Sequence, residues 1–234
     1  MKNAFPYIIG AVVLLLLIVI MASTNNPSVR RMDERITLRQ KDKIPYGTRV
    51  AKDLLPLLFP GTKVISDNKY PGAWDSVDVT QPNQAVILVT DNFDANKSEL
   101  EELSEFVQRG NYVFIIARNG SDAVSSFFHL SFNSYYLSSS GAGLQIKLER
   151  PTYTSDSTYT YPGKQFESFF YELDTAYTAV LGRSSKDQPD FINLIKARGI
   201  FLFTVRHWLL VIILYCIKQM FIISSRYFRC FLKR

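Results

Sequence analysis

The sequence opens on its longest apolar run. Ala4 to Ala22 reads AFPYIIGAVVLLLLIVIMA, nineteen residues without a charge. At about 1.5 Å of rise per residue, a helix of that length crosses the roughly 30 Å of hydrocarbon in a bilayer. The pattern predicts a transmembrane anchor over 4–22. A secretory signal would carry a shorter apolar stretch and a small-x-small cleavage site. Here Ile20 stands where a cut after Ala22 needs a small residue, so the segment reads as uncleaved. A polar linker over 23–35, beginning STNNPS, separates it from the rest of the chain.

From 36 to 198 the pattern is that of a folded domain. Ile36-Thr37-Leu38 alternates and predicts a short strand. Val50, Leu54, Leu55 and Leu58 fall at helical spacing behind Thr48, a suitable N-cap, with Pro56 in the last turn and Gly61 beyond it. Lys63 to Ser66 reads as a strand. The strongest signal comes next. Ala85 to Val89 is a continuous apolar run, as in a parallel strand covered on both faces. A helix follows in which Leu100, Leu103, Phe106 and Val107 share one face, opened by the capping-box pattern Ser98-Glu99-Leu100-Glu101 and closed by Gly110. A second apolar run spans Tyr112 to Ala117. Two buried strands joined through one helix form a parallel crossover and predict an open α/β sheet. Phe132 to Pro162 is rich in Ser, Thr, Tyr and Gly and predicts long loops around one strand at Leu144 to Leu148. Tyr177 to Leu181 and Phe191 to Ile195 flank GRSSKD, a hairpin pattern.

Charge and composition narrow the functions open to this domain. The chain carries 27 basic and 21 acidic residues, but six of the basic ones and no acid lie beyond Ile200. The remainder is therefore balanced. A neutral body has no field to track phosphates, and no recognition motif is present, so nucleic acid is not an expected partner. Both cysteines, Cys216 and Cys230, lie in the tail, so the domain holds neither a thiol nucleophile nor a cysteine metal site. His129, between Phe128 and Leu130, is the sole histidine before the tail and reads as a packing or surface residue. The phosphate-loop, dinucleotide, zinc-protease and nucleophile-elbow motifs are all missing. Two carboxylate pairs, Glu101-Glu102 and Asp187 with Asp190, fall on a solvated helix face and at a turn, where acid-base chemistry is not expected. No catalytic residue, metal or cofactor is anticipated. In an open sheet, ligands bind beyond the carboxyl ends of the strands. That rule makes Asp91, Asn92, Asn119 and Ser121 the candidate ligand-binding residues.

The anchor, the stretch DERITLRQKDKIPYGTRVAKDLLPLLFP and the stretch VILVTDNFDANKSELEELSEFVQRGNYVFIIA together resemble an uncharacterised bacterial family, numbered 4350 among the domains of unknown function. The resemblance covers residues 1 to 198. It implies a class I glutamine-amidotransferase-like, flavodoxin-like domain with a mostly parallel open sheet. It also implies a second membrane helix after the domain, which would leave the domain on the periplasmic side of a bacterial inner membrane. The basic residues Arg30, Arg31, Arg35, Arg39, Lys41 and Lys43 after the first span argue for the opposite, cytoplasmic placement, although Asp33, Glu34 and Asp42 interrupt them. Amidotransferase chemistry needs a nucleophilic cysteine at a strand-to-helix elbow with a histidine partner, and this body has no cysteine. Related genes in the family often neighbour those of a MoxR-type AAA ATPase, an association that suggests an envelope partner system.

Residues 199–234 change character to an apolar, acid-free, basic tail. One reading is a second membrane helix around Phe201 to Ser224, with Arg206 and Lys218 near its ends. The other is a frameshift near residue 199. Written in permitted codons and read one base earlier, Thr204 to Tyr215 can give Tyr-Ser-Ala-Pro-Leu-Ala-Phe-Ser-Asn-Tyr-Phe-Ile, similar to what the family carries after its hairpin. The expected function is a membrane-tethered, non-enzymatic binding or scaffolding domain at the bacterial cell envelope. The alternatives are a hydrolase or transferase acting at the sheet rim, and a truncated inactive product.

Overall fold

The computed structural model describes residues 12–20, 35–44, 47–67, 69–74, 77–137, 144–148, 157–161, 165–196, 199–206, 214 and 230–233. The chain divides into two compact units, Met1–Asp33 and Glu34–Arg234. In the first, residues 12–20 are helical (α1). All nine side chains are apolar and each is at least half exposed. The rest of the expected anchor lies outside the described residues. Among those described, no helix is long and apolar enough to cross a membrane.

The second unit is an α/β domain with the element order α2 (Arg49–Leu58), β1 (Val64–Ser66), β2 (Ala85–Phe93), α3 (Lys97–Gln108), β3 (Tyr112–Gly120), α4 (Asp122–Phe128), β4 (Leu130–Leu137), β5 (Leu144–Leu148), β6 (Ser157–Tyr161), β7 (Gln165–Leu173), β8 (Thr178–Ser184), β9 (Pro189–Lys196), β10 (Gly199–Thr204) and β11 (Cys230–Lys233). Among the described residues, nine strands form one open sheet in the order β1-β11-β2-β3-β10-β9-β8-β5-β6, while β4 and β7 pair separately. The sheet is mixed, not mostly parallel. Pairing is parallel from β1 to β10 and antiparallel from β10 to β6. Connection length explains the change. A parallel pair needs a crossover of a dozen residues or more, and β2 and β3 have α3 for it. β8, β9 and β10 are separated by only four and two residues and can only pair antiparallel.

Alternation places the core. Ala85, Ile87 and Val89 of β2, with Phe114 and Ile116 of β3, pack under Ala51, Leu55 and Phe59 around α2. Val86, Leu88, Val113 and Ile115 face the other way, onto Leu100, Leu103, Phe106 and Val107 of α3 and Val124 and Phe128 of α4. Both faces are covered, which is why these strands read as unbroken apolar runs.

Several expectations are corrected. Ile36 to Leu38 is not a strand, because Leu38 takes a left-handed conformation with φ 51°. Thr48 precedes α2, but its hydroxyl donates to the Leu38 carbonyl at 3.3 Å instead of capping the helix. The capping box of α3 begins at Asn96, not Ser98. Asn96 Oδ1 accepts from Glu99 N at 3.0 Å and Glu99 Oε2 accepts from Asn96 N at 2.9 Å. Asn96→Ala is expected to lower stability by about 1 kcal/mol, read as a shifted urea midpoint, with Ser98→Ala leaving it unmoved. The stretch expected to loop from Phe132 contains β4 and β6 besides β5, and β7 follows it. Finally, residues 201–204 are extended as β10 and not the start of a helix. Phe201 to Arg206 are all buried. Of the rest of that expected helix only Leu214 is described, helical and buried.

Candidate binding site at the carboxyl ends of the parallel strands

β2 and β3 run in register from Ala85 opposite Tyr112 to Phe93 opposite Gly120. Each extends past its apolar run into polar residues, so the rim begins within the strands. Asn92 stands opposite Asn119 across the ladder. Asp91 and Arg118, each the sixth residue after a registered pair, meet in an ion pair of 2.6 Å between Oδ2 and Nη2. By alternation from Val89 and Ile116 they lie toward the α2 side, opposite the face that bears Leu88 and Ile115. The rim residues named from sequence are therefore divided. Asn92 and Asn119 are neighbours, while Asp91 joins a partner that sequence reasoning did not select. The signal for Arg118 was present: complementary charges at equal distance along two strands of equal length.

Ser121 has a structural duty. It is the N-cap of α4, extended at φ −70° and ψ 165°, with its hydroxyl accepting from Val124 N at 3.4 Å. Its own N–H donates to the Phe93 carbonyl at 3.1 Å, tying the helix start to the end of β2. Gly120, just before it, is needed for space, because a Cβ there would run into the Phe132 ring. A nucleophile elbow holds its residue in a strained turn, and Ser121 shows no such strain. His129 is exposed and caps α4 at its other end with φ 53°.

A cleft of about 180 Å³ opens beside the end of β2, bordered by Pro71, Thr90, Asn92, Asp94 and Glu99. Asn92 is the one candidate that borders it. The N-terminus of α3 lies at the same border, but Asn96 and Glu99 already satisfy two of its donors, which weakens it as an anion site. What remains is a rim of amide, hydroxyl and carboxylate groups suited to hydrogen bonding a polar ligand. Among the described residues nothing donates to Asp91 Oδ1, and no group of three or more His, Cys, Asp or Glu could hold a metal ion.

A second polar centre escaped sequence reasoning. Asp190, at the start of β9, is fully buried and pairs with buried Arg206 at 3.1 Å between Oδ2 and Nε. Thr204 Oγ1 donates to the Asp190 carbonyl at 3.0 Å, and Arg206 N donates to Thr204 Oγ1 at 3.2 Å. Burial pushes the Asp190 carboxyl up to about 6, although Arg206 pulls the other way. The pairing of Asp187 with Asp190 at a turn is thus replaced. Asp187 is exposed, and Asp190 belongs to the interior.

No family model and no curated protein matches the chain. Among solved structures it is similar to a β-galactosidase from Bacillus circulans sp. alkalophilus, at 13% identity over 59% of this chain with a TM-score of 0.42. A β-galactosidase from Rahnella sp. R3 matches at 10% identity over 65% of this chain, TM-score 0.45. The chain spans only 23% and 25% of those two enzymes. The cytoplasmic protein STM1381 from Salmonella typhimurium LT2 matches at 12% identity over 51% of this chain and 59% of its own, TM-score 0.36.

Proposed function

We propose that this chain is a membrane-tethered binding domain of the bacterial cell envelope, held in the inner membrane by residues 4–22, with its amidotransferase-like domain in the periplasm. The observation that carries the tether is α1. Nine consecutive apolar side chains, each at least half exposed, form a helix that is hydrophobic all round. Such a helix belongs in lipid or in the centre of a large protein. The sequence extends the same character to nineteen residues, enough to span.

The binding reading is supported by the rim. Asn92, Asn119 and the Asp91–Arg118 pair offer donors and acceptors at the strand ends, while Ser121, the residue at the strand-to-helix elbow, is engaged as a cap. In a bacterial host, the full chain is expected in the membrane fraction after alkaline carbonate, and a chain lacking residues 1–28 in the soluble fraction. Recovery of the full chain as a soluble protein refutes the tether. Protease added to intact spheroplasts should cut the domain, whereas protection would place it in the cytoplasm. Turnover of chromogenic ester, phosphoester or glycoside substrates that Asp91→Ala abolishes would establish the hydrolase alternative instead.

A further inference from the structure

The helix α2 carries more apolar surface than the core uses. Ala51 and Leu55 are fully buried, with Phe59 just past the helix end. Val50, Leu54 and Leu57 form a second stripe at i, i+4 and i+7, in which Leu54 is half-buried and Val50 and Leu57 are 48% and 73% exposed. Scattered exposed leucines need no explanation, whereas an aligned row on one helix gives a partner a continuous apolar edge to meet.

The charge along the sequence on either side of that row is uneven. Residues 35–63 hold seven basic residues against two acidic, whereas residues 64–199 hold eleven against seventeen. Arg35, Arg39, Lys41, Lys43 and Lys63 are all exposed. The balanced body therefore has a basic N-terminal part and an acidic remainder. Leu38 packs in one cluster with Ala51, Leu55 and Phe59, so the basic segment and α2 form one layer on one face of the sheet.

We infer that this layer docks on an anionic bilayer, with Val50, Leu54 and Leu57 entering the lipid interface and the surrounding Lys and Arg meeting acidic headgroups. The inference rests on the tether proposed above. Residues 23–34 reach at most about 40 Å when extended, so an anchored domain stays near the membrane. Tethering makes the contact intramolecular, and a weak surface then suffices. Basic residues near an anionic surface each contribute about 1 kcal/mol. Two copies meeting through this face would oppose like charges, which disfavours self-association as the occupant.

The test uses the full chain with Cys216→Ser and Cys230→Ser, carrying an environment-sensitive fluorophore at Leu57→Cys or, as control, at exposed Tyr177→Cys. Each is reconstituted in vesicles of phosphatidylcholine alone or with an equal part of phosphatidylglycerol. The Leu57 label should shift to the blue only in the anionic vesicles and return at about 1 M salt, where screening shortens to about 3 Å. The Tyr177 label should not move. A chain that floats with the vesicles while its Leu57 label stays in water overturns the docking and leaves the tether standing. A chain that does not float overturns both. A blue shift that vanishes when labelled chain is diluted with lipid assigns the stripe to a second copy and overturns the docking as well.

Discussion

A chain that stops after residue 198 is expected to lose cooperative folding altogether. Such a chain lacks β10 and β11, and β10 is the seam of the sheet, parallel to β3 on one side and antiparallel to β9 on the other. Phe201, Leu202, Phe203 and Val205 are each no more than 2% exposed. At roughly 1.5–3 kcal/mol for each such side chain, their loss removes roughly 6–12 kcal/mol, as much as the whole stability of an ordinary domain. The truncation would also leave β3 and β9 with unpaired edges in the middle of the sheet, a template for aggregation. A chain that stops after residue 206 is the control. It gives up the buried Leu214 and β11, whose partners are the three-residue β1 and one side of β2, and keeps the seam. Urea unfolding followed by tryptophan fluorescence should show a cooperative transition for the longer chain and none for the shorter. A cooperative transition in the shorter chain would mean that β9 and β3 can close on each other, and β10 would not be the seam.

The same strand shows where the sequence stopped being legible. The β2-α3-β3 unit was readable because both sheet faces are covered there, which forces unbroken apolar runs, and because α3 carries an apolar stripe and a closing glycine. β10 has the same apolar character, GIFLFT, but a longer apolar tail runs on from it. Hydropathy alone cannot divide a buried strand from an apolar segment that follows directly. The pairing does divide them: in the present reading frame residues 199–204 lie in register with β3 and β9, and Arg206 reaches Asp190. β4 and β6 were hidden for the opposite reason. Their Ser, Thr and Tyr residues suit strands as well as loops, and the partner of β4, β7, is distant in sequence.

At the rim, sequence reasoning found the correct strand ends but not the side of the sheet each residue would take. Asp91 and Asn92 are adjacent in sequence, so alternation sends them toward opposite faces. Grouping them as one site ignored that period. Extending the strand pattern three or four residues beyond the apolar runs would have set Asp91 beside Arg118, which form an ion pair, and Asn92 opposite Asn119, as in the ladder.

Replacing Arg206 with alanine is the most informative single substitution, because its effect depends on pH in a direction fixed by burial. Asp190 and Arg206 are both essentially without solvent contact. Removing one partner of a buried ion pair typically costs about 3–5 kcal/mol, since the other charge is left uncompensated. At neutral pH the variant should lose about that much in urea unfolding. In the native chain the Asp190 carboxyl already sits near 6 against an ordinary 3.8, so desolvation outweighs the attraction of Arg206. A carboxyl raised on folding stabilises the fold while protonated. This contribution is fully present below about pH 4 and is lost as the pH rises to about 6, a change of roughly 3 kcal/mol. Without Arg206 the strongest opposition to desolvation is gone, a backbone hydrogen bond and the charge of Arg183 oppose it more weakly, and the carboxyl rises further. The alanine variant should therefore regain stability on acidification more steeply than the native chain, and the gap between them should narrow as the pH falls from 7 toward 5. Asp190→Asn, which cannot titrate, should lack the native chain's gain over the same range. A gap between Arg206→Ala and the native chain that stays constant with pH would show that Arg206 acts through packing alone and that Asp190 is not its electrostatic partner.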